Sequence, residues 1–327
     1  MTLFHLLKSW AGTDNRGEKD HVIGVLIGFA IIGAVILIGY IVGRTGVLGE
    51  HAPFVISRIV FLVLSPCLLF TVLADANVHA LFSSLLVISL IAALAAFAIF
   101  ATIAIVVWRR ALPEAVIGTL ASGYVNANNI GLPVAVYVLG SPAYSAPVIL
   151  LQLLVFAPVA LTILDVLERG HVSFWRTISQ PFRNPILIGS ALGVLLSVLQ
   201  IKLPADVMEP FRLIGAAAVP LVLISFGMSL HGQRPLQPGT GRRDVILAST
   251  IKLAIMPAVA WVVGQFVFGL SGHALFVVVV LAALPSAQNV FNYAQRYDRG
   301  VIVARDTVLI TTIASVPVLI AIAALLS

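Results

Sequence analysis

The sequence predicts an all-α integral membrane protein: ten transmembrane helices in two inverted five-helix repeats, with crossed, broken helices 4 and 9. Three observations carry that prediction. Hydrophobic residues make up 60% of the 327-residue chain and charged residues 10%, with a mean hydropathy of +1.10, whereas soluble domains are about 25% charged. The apolar residues fall in runs of about membrane-spanning length. Two of those runs hold side-chain amides beside a proline, a combination that hydrocarbon cannot satisfy.

The runs lie at 22–43, 53–74, 83–108, 115–139, 143–166, 185–201, 207–230, 245–268, 274–295 and 301–326. They divide the chain into a polar outer tail (1–21), a first repeat (22–166), a cytoplasmic linker (167–184) and a second repeat (185–327). The tail lacks the basic, apolar and small-residue pattern of a signal peptide. Lysines and arginines set the orientation. Thirteen of the nineteen fall after odd-numbered runs, five fall on the other side, and Lys252 lies within a run. The expected protein is therefore a multi-pass protein of the plasma (inner) membrane with both termini outside. The net charge of +6 is scattered in ones to threes, which fits inner loops and excludes a nucleic-acid surface. Cys67 is the single cysteine, so no intrachain disulfide or thiol–metal cluster is possible.

Weak internal echoes support the repeat. Ile36-Leu37-Ile38-Gly39 returns as Ile186-Leu187-Ile188-Gly189, and Gly39-x-x-x-Gly43 as Gly189-x-x-x-Gly193. The next run of each half carries a proline, Pro66 and Pro220. These glycine pairs, with Gly24-x-x-x-Gly28, are read as close-packing faces within the monomer or, less readily, as a dimer face.

The fourth run reads Asn126-Ala127-Asn128-Asn129-Ile130-Gly131-Leu132-Pro133, and the ninth reads Pro285-Ser286-Ala287-Gln288-Asn289-Val290-Phe291-Asn292. Proline has no N–H and clashes with the preceding turn, so Pro133 and Pro285 are expected to break their helices. Irregular backbone at membrane depth persists only where protein or a watery cavity covers it. Two broken helices meeting at the midplane direct half-helix N-termini at one point, which suits an anion. Asn126, Asn128, Asn129, Gly131, Pro133, Pro285, Gln288, Asn289 and Asn292 are the candidate substrate-binding residues, with Asn126 and Asn289 expected to face each other. The bland alternative is polar contact between neighbouring helices around tolerated kinks.

The first of these stretches resembles the Asn-x-x-x-x-Gly-x-Pro element of the auxin efflux carrier family. Leu284-Pro285 through Ala294-Gln295-Arg296-Tyr297 resembles that family's ninth-span element, and the proline-bearing Arg58–Phe70 stretch fits as well. The resemblance covers nearly all of the chain after residue 22. It implies the fold of bile-acid sodium symporters and sodium/proton antiporters, an elevator-type transport domain, and transport of small organic acids such as auxin, malonate or malate. It makes Asn126, Gly131 and Pro133 crossover residues and Pro285 the second break. Plant carriers have a further proline where this chain has Val290, and often a long central loop where this one is short. The departure points to a prokaryotic-type relative.

Few charges lie within the runs. Lys252 can attract the anion, stand in for a coupling cation, or snorkel to the inner interface. Asp75 and Asp165 lie near run ends, where carboxylates bind H⁺ or Na⁺ in some carriers and are merely solvated in others. Gln152 can line the site or join helices. The expected partners are a small organic anion, the lipid bilayer and a second copy in a homodimer. No cofactor is expected, and a coupling Na⁺ or H⁺ is left open.

The rival readings are an anion-selective channel and an intramembrane serine protease. The second rests on Gly269-Leu270-Ser271-Gly272. Its chemistry needs a histidine from a later run, and the only histidine from there onward is His273, assigned to the same outer loop. The sequence has no His-Glu-x-x-His motif and no phosphate-cradling loop.

Overall fold

The computed structural model describes residues 15–49, 51–76, 84–169, 184–231 and 241–326. Among them all regular structure is helical, apart from one antiparallel bridge between Val125 and Ser286. In chain order the helices are α1 (Asn15–Thr45), α2 (Ala52–Asp75), α3 (Ser84–Val107), α4 (Leu112–Gly123), α5 (127–137) and α6 (Pro142–Glu168). They continue as α7 (Pro185–Val198), α8 (Ala205–Ser229), α9 (Arg242–Val267), α10 (Gly272–Ala283), α11 (Gln288–Tyr297) and α12 (Val301–Leu326). Six of them, α2, α3, α6, α8, α9 and α12, are long and apolar enough to cross a membrane. The first helix starts at Asn15, inside the stretch expected as tail. Most of the expected linker, residues 170–183, lies outside the described residues.

The helices form two packed groups. In one, α7 lies along the second half of α2, and α8 lies along α1. The other comprises α3, α4, α6 and α9–α12; within it α10 packs against α3, α9 and α12, and its residues from Leu275 to Ala283 are all buried. A helix apolar on every face belongs in a core. Large apolar side chains such as Leu94, Val106, Leu192 and Ile313 point outward instead, a surface suited to lipid rather than water.

Glycines set the closeness of the first group. A Cβ on Gly189 would stand 2.5 Å from the Pro66 carbonyl oxygen, and one on Gly193 2.5 Å from that of Phe70. One on Gly43 would stand 2.8 Å from Met228 Cα, and Gly39 abuts Ile224. The paired glycines are therefore close-packing faces within the monomer, as read from their spacing. Gly24 and Gly28 have no described surroundings.

Four prolines lie two residues beyond a π turn. The turns are Val60–Leu64 before Pro66, Ala127–Gly131 before Pro133, Gln152–Phe156 before Pro158 and Ile251–Ile255 before Pro257. A helical proline orphans the carbonyl four residues back and crowds it, and a turn widened by one residue moves that carbonyl aside. The helix then continues. This corrects the expectation for Pro133, which sits in the first turn of an intact segment, Leu132–Tyr137. The break lies at Tyr124–Asn126.

The ends of α3 and α9 repeat one hydrogen-bond pattern. Trp108 N donates to Ile103 O at 2.9 Å and Arg110 N to Ala104 O at 2.9 Å, while Phe268 N donates to Val263 O at 3.1 Å and Leu270 N to Gly264 O at 2.8 Å. Arg109 and Gly269 take the matching left-handed position, at φ 51° and 63°. Each pattern leads into a helix of 12 residues, α4 and α10. Gly269-Leu270-Ser271-Gly272 is accordingly a turn, and His273 stands in the first turn of α10 rather than in a loop.

Candidate functional site

The two breaks satisfy each other's backbone. After α4 the chain leaves the helix at Tyr124 and Val125 and turns at Asn126; after α10, Leu284–Ala287 runs extended. Asn126 N donates to Pro285 O and Ala287 N to Tyr124 O, both at 2.8 Å. Gln152 Nε2, from α6, donates to Val125 O at 2.8 Å. Ser286 N donates to Thr311 Oγ1 at 3.1 Å, and the Ser286 hydroxyl to Ala121 O. Buried carbonyls left without donors would cost about 1–3 kcal/mol each, so these contacts make the crossing possible.

Asn126 caps α5, its Oδ1 accepting from Asn129 N at 3.1 Å. The α11 N-terminus has no side-chain cap, leaving first-turn N–H groups for another acceptor. Asn128 Nδ2 donates to Asn129 Oδ1 at 3.0 Å, and Asn128 Oδ1 is buried without a partner. Gly131 packs where a Cβ would stand 3.0 Å from Leu284 Cδ1.

A cavity of about 680 Å³ opens beside this crossing, between the two helix groups. Asn126, Asn128, Asn129, Gln152, Gln288, Asn289 and Asn292 all line it. So do Tyr124, Ser57, Ser225 and the aromatic rings of Phe54, Phe61 and Phe226. Gly131, Pro133 and Pro285 shape the backbone behind it instead. Arg58 is the single charged residue among the described lining, and no carboxylate joins it. Its guanidinium lies over the Phe54 ring, 5.6 Å from the centroid. The Tyr124 hydroxyl is buried near Tyr293 and Asn289 without a well-formed hydrogen bond.

A family model described as "Membrane transport protein" matches residues 25–323. The chain belongs to that membrane transport protein family, the family of the auxin efflux carriers. An uncharacterized transporter of Methanothermobacter thermautotrophicus is 28% identical over 304 residues, 91% of this chain and 95% of the relative. Auxin efflux carrier component 1 of Arabidopsis thaliana is 26% identical over 131 residues, 39% of this chain and 20% of the plant protein. Probable auxin efflux carrier component 5b of Oryza sativa subsp. japonica is 28% identical over 143 residues, 42% of this chain and 38% of its own. This family member is thus a multi-pass membrane transporter.

In the transporter, Gln152 lines the cavity and ties α6 to the break. Asp75 pairs with Arg212 at 3.2 Å on an exposed edge, and Asp165 accepts from the Tyr297 hydroxyl at 3.0 Å. Neither lines the cavity. Near Asp165, Arg299 lies 2.8 Å from Glu168, whose hydrogen bond holds the guanidinium more firmly protonated than usual. Arg110 grips Asp244 through two hydrogen bonds, of 2.6 and 3.1 Å. Lys252 is wholly buried and also outside the cavity lining, which rules out snorkelling as its resting position. Arg58 and Tyr124 are among the lining residues that sequence reasoning passed over. Arg58 had a signal: although counted with the inner-side basic residues, it lies inside the 53–74 run.

Proposed function

We propose that this transporter is a carrier for a small organic anion such as a carboxylate, of the malonate, malate or auxin-like kind. The carrying observation is the charge of the cavity's described lining: one arginine, no acid, several amides and an uncapped helix N-terminus. A cation would be repelled by Arg58 and by that helix end, and an anion is drawn to both. Asn126 and Asn289 contact the bound anion from the two breaks.

In this reading α4 with α5, and α10 with α11, are the fourth and ninth of ten spans, arranged as two inverted repeats of five. The matched turns at Trp108 and Phe268 and the mirrored glycine contacts support that arrangement. The group of α1, α2, α7 and α8 is the scaffold, and the remainder moves against it as an elevator. Both termini face outward from the plasma membrane, and the chain assembles as a homodimer. Beyond the cavity, Val125 and Ser286 are buried against each other, which favours a carrier over an open channel.

The test is uptake and counterflow in proteoliposomes with malonate, malate and indole-3-acetate, comparing wild type with Arg58→Gln. Saturable uptake of at least one acid, weakened about tenfold or more by Arg58→Gln, is expected. Unsaturable flux at channel rates, or an acid transported equally well by Arg58→Gln, would overturn the proposal.

A further inference from the structure

Lys252 is buried to 0% exposure in the π turn Ile251–Ile255 of α9. Its Nζ donates to the Ala282 carbonyl at 2.6 Å and approaches Met256 Sδ at 3.3 Å. The ammonium makes no ion pair among the described residues. A buried charge without a counter-charge is costly and persists where something else requires it.

The end of α10 supplies that requirement. In a continuing helix the Leu281, Ala282 and Ala283 carbonyls would accept from the N–H groups of residues 285, 286 and 287. Pro285 has no N–H, the Ser286 N–H goes to Thr311 and the Ala287 N–H to Tyr124. Three carbonyls therefore lose their helical partners at the negative end of a half-helix dipole. At the other break the carbonyls are met by neutral donors, the Ser286 hydroxyl and the Gln152 amide. Among the described residues, only the α10 end holds a cation. Carbonyl oxygens freed in this way, in the absence of an ammonium, suit a small metal cation.

We propose that Lys252 is a positioning residue that serves as a resident cation at the carbonyl end of α10, doing there what a bound Na⁺ would otherwise do. By fixing that end it fixes the α11 N-terminus four residues later, which faces the cavity. The carrier then binds its substrate without Na⁺; this last clause rests on the proposed function, whereas the cation role does not. The test therefore reads melting of the purified full chain, with no substrate present.

Wild type and Lys252→Met are compared in NaCl and in choline chloride at matched ionic strength. Methionine keeps the length and removes the charge. Wild type should melt at the same temperature in both salts. Lys252→Met should melt about 5 °C lower in choline, with more than about half of the loss recovered in Na⁺. If Lys252→Met does not assemble, Lys252→Gln carries the same comparison. Three results overturn the proposal: wild type stabilised by Na⁺ over choline, a variant that melts like wild type, or a weakened variant indifferent to Na⁺. The last would make Lys252 a packing residue only.

Discussion

Changing Asn126 to aspartate separates the two jobs assigned to this side chain. Its Oδ1 caps α5 through the Asn129 N–H at 3.1 Å, and it lines a cavity whose single charged residue among the described lining is Arg58. Aspartate keeps the cap acceptor, and its charge suits a helix N-terminus. The fold should therefore persist, with melting within a few degrees of wild type. The same carboxylate faces the proposed anion. At a separation of about 6 Å and an effective dielectric of about 20, the repulsion is about 3 kcal/mol. That corresponds to roughly a 100-fold loss of affinity. Asn126→Ala behaves differently: it loses the cap, about 1 kcal/mol, so it melts lower. It removes one hydrogen bond to substrate without adding repulsion, and should weaken binding by about tenfold. Counterflow in proteoliposomes gives the affinities, and thermal melting of the purified protein gives the stability. An Asn126→Asp variant that melts normally and takes up the acid with wild-type affinity would refute the anion site. A gain of affinity for an organic cation would do so more directly.

The remaining predictions concern packing and orientation. Gly189→Ala places a methyl group 2.5 Å from the Pro66 carbonyl oxygen, so α7 and α2 must part, at about 1–3 kcal/mol. Gly33→Ala, with nothing within 4 Å of its Cβ, is the neutral control, and equal melting of the two variants would refute the contact. In a Cys67→Ser background, single cysteines at Arg296 and Lys202 should react with impermeant reagents from inside and outside respectively. The reverse pattern would invert the proposed orientation.

How much of this was legible depended on the range of the interaction involved. Helical class and membrane residence follow from composition, and the Gly39 and Gly189 contacts follow from local spacing, because small residues at i and i+4 share one helix face. The amide clusters also revealed themselves locally, since Asn126, Asn128 and Asn129 have no cheap place in hydrocarbon. Pro133 misled because the remedy for a helical proline is nearby too: a π turn over Ala127–Gly131 absorbs it. The true break at Tyr124–Asn126 depends on Pro285 and Ala287, some 160 positions along the chain, whose backbone groups pair with it.

Lys252 marks where local reading stops. A lysine within an apolar run has two cheap fates, reaching the interface or meeting a carboxylate, and sequence favours neither. The structure gives it a third, an acceptor that is no side chain at all. The Ala282 carbonyl needs a donor only because α10 ends where it does. That ending depends on Pro285 lacking an N–H, and on Thr311 and Tyr124 taking the next two. Four separate segments thus decide what one ammonium does. Removing the Thr311 hydroxyl, which frees the Ser286 N–H for the Ala282 carbonyl, should therefore act first on Lys252, and only through it on the cavity.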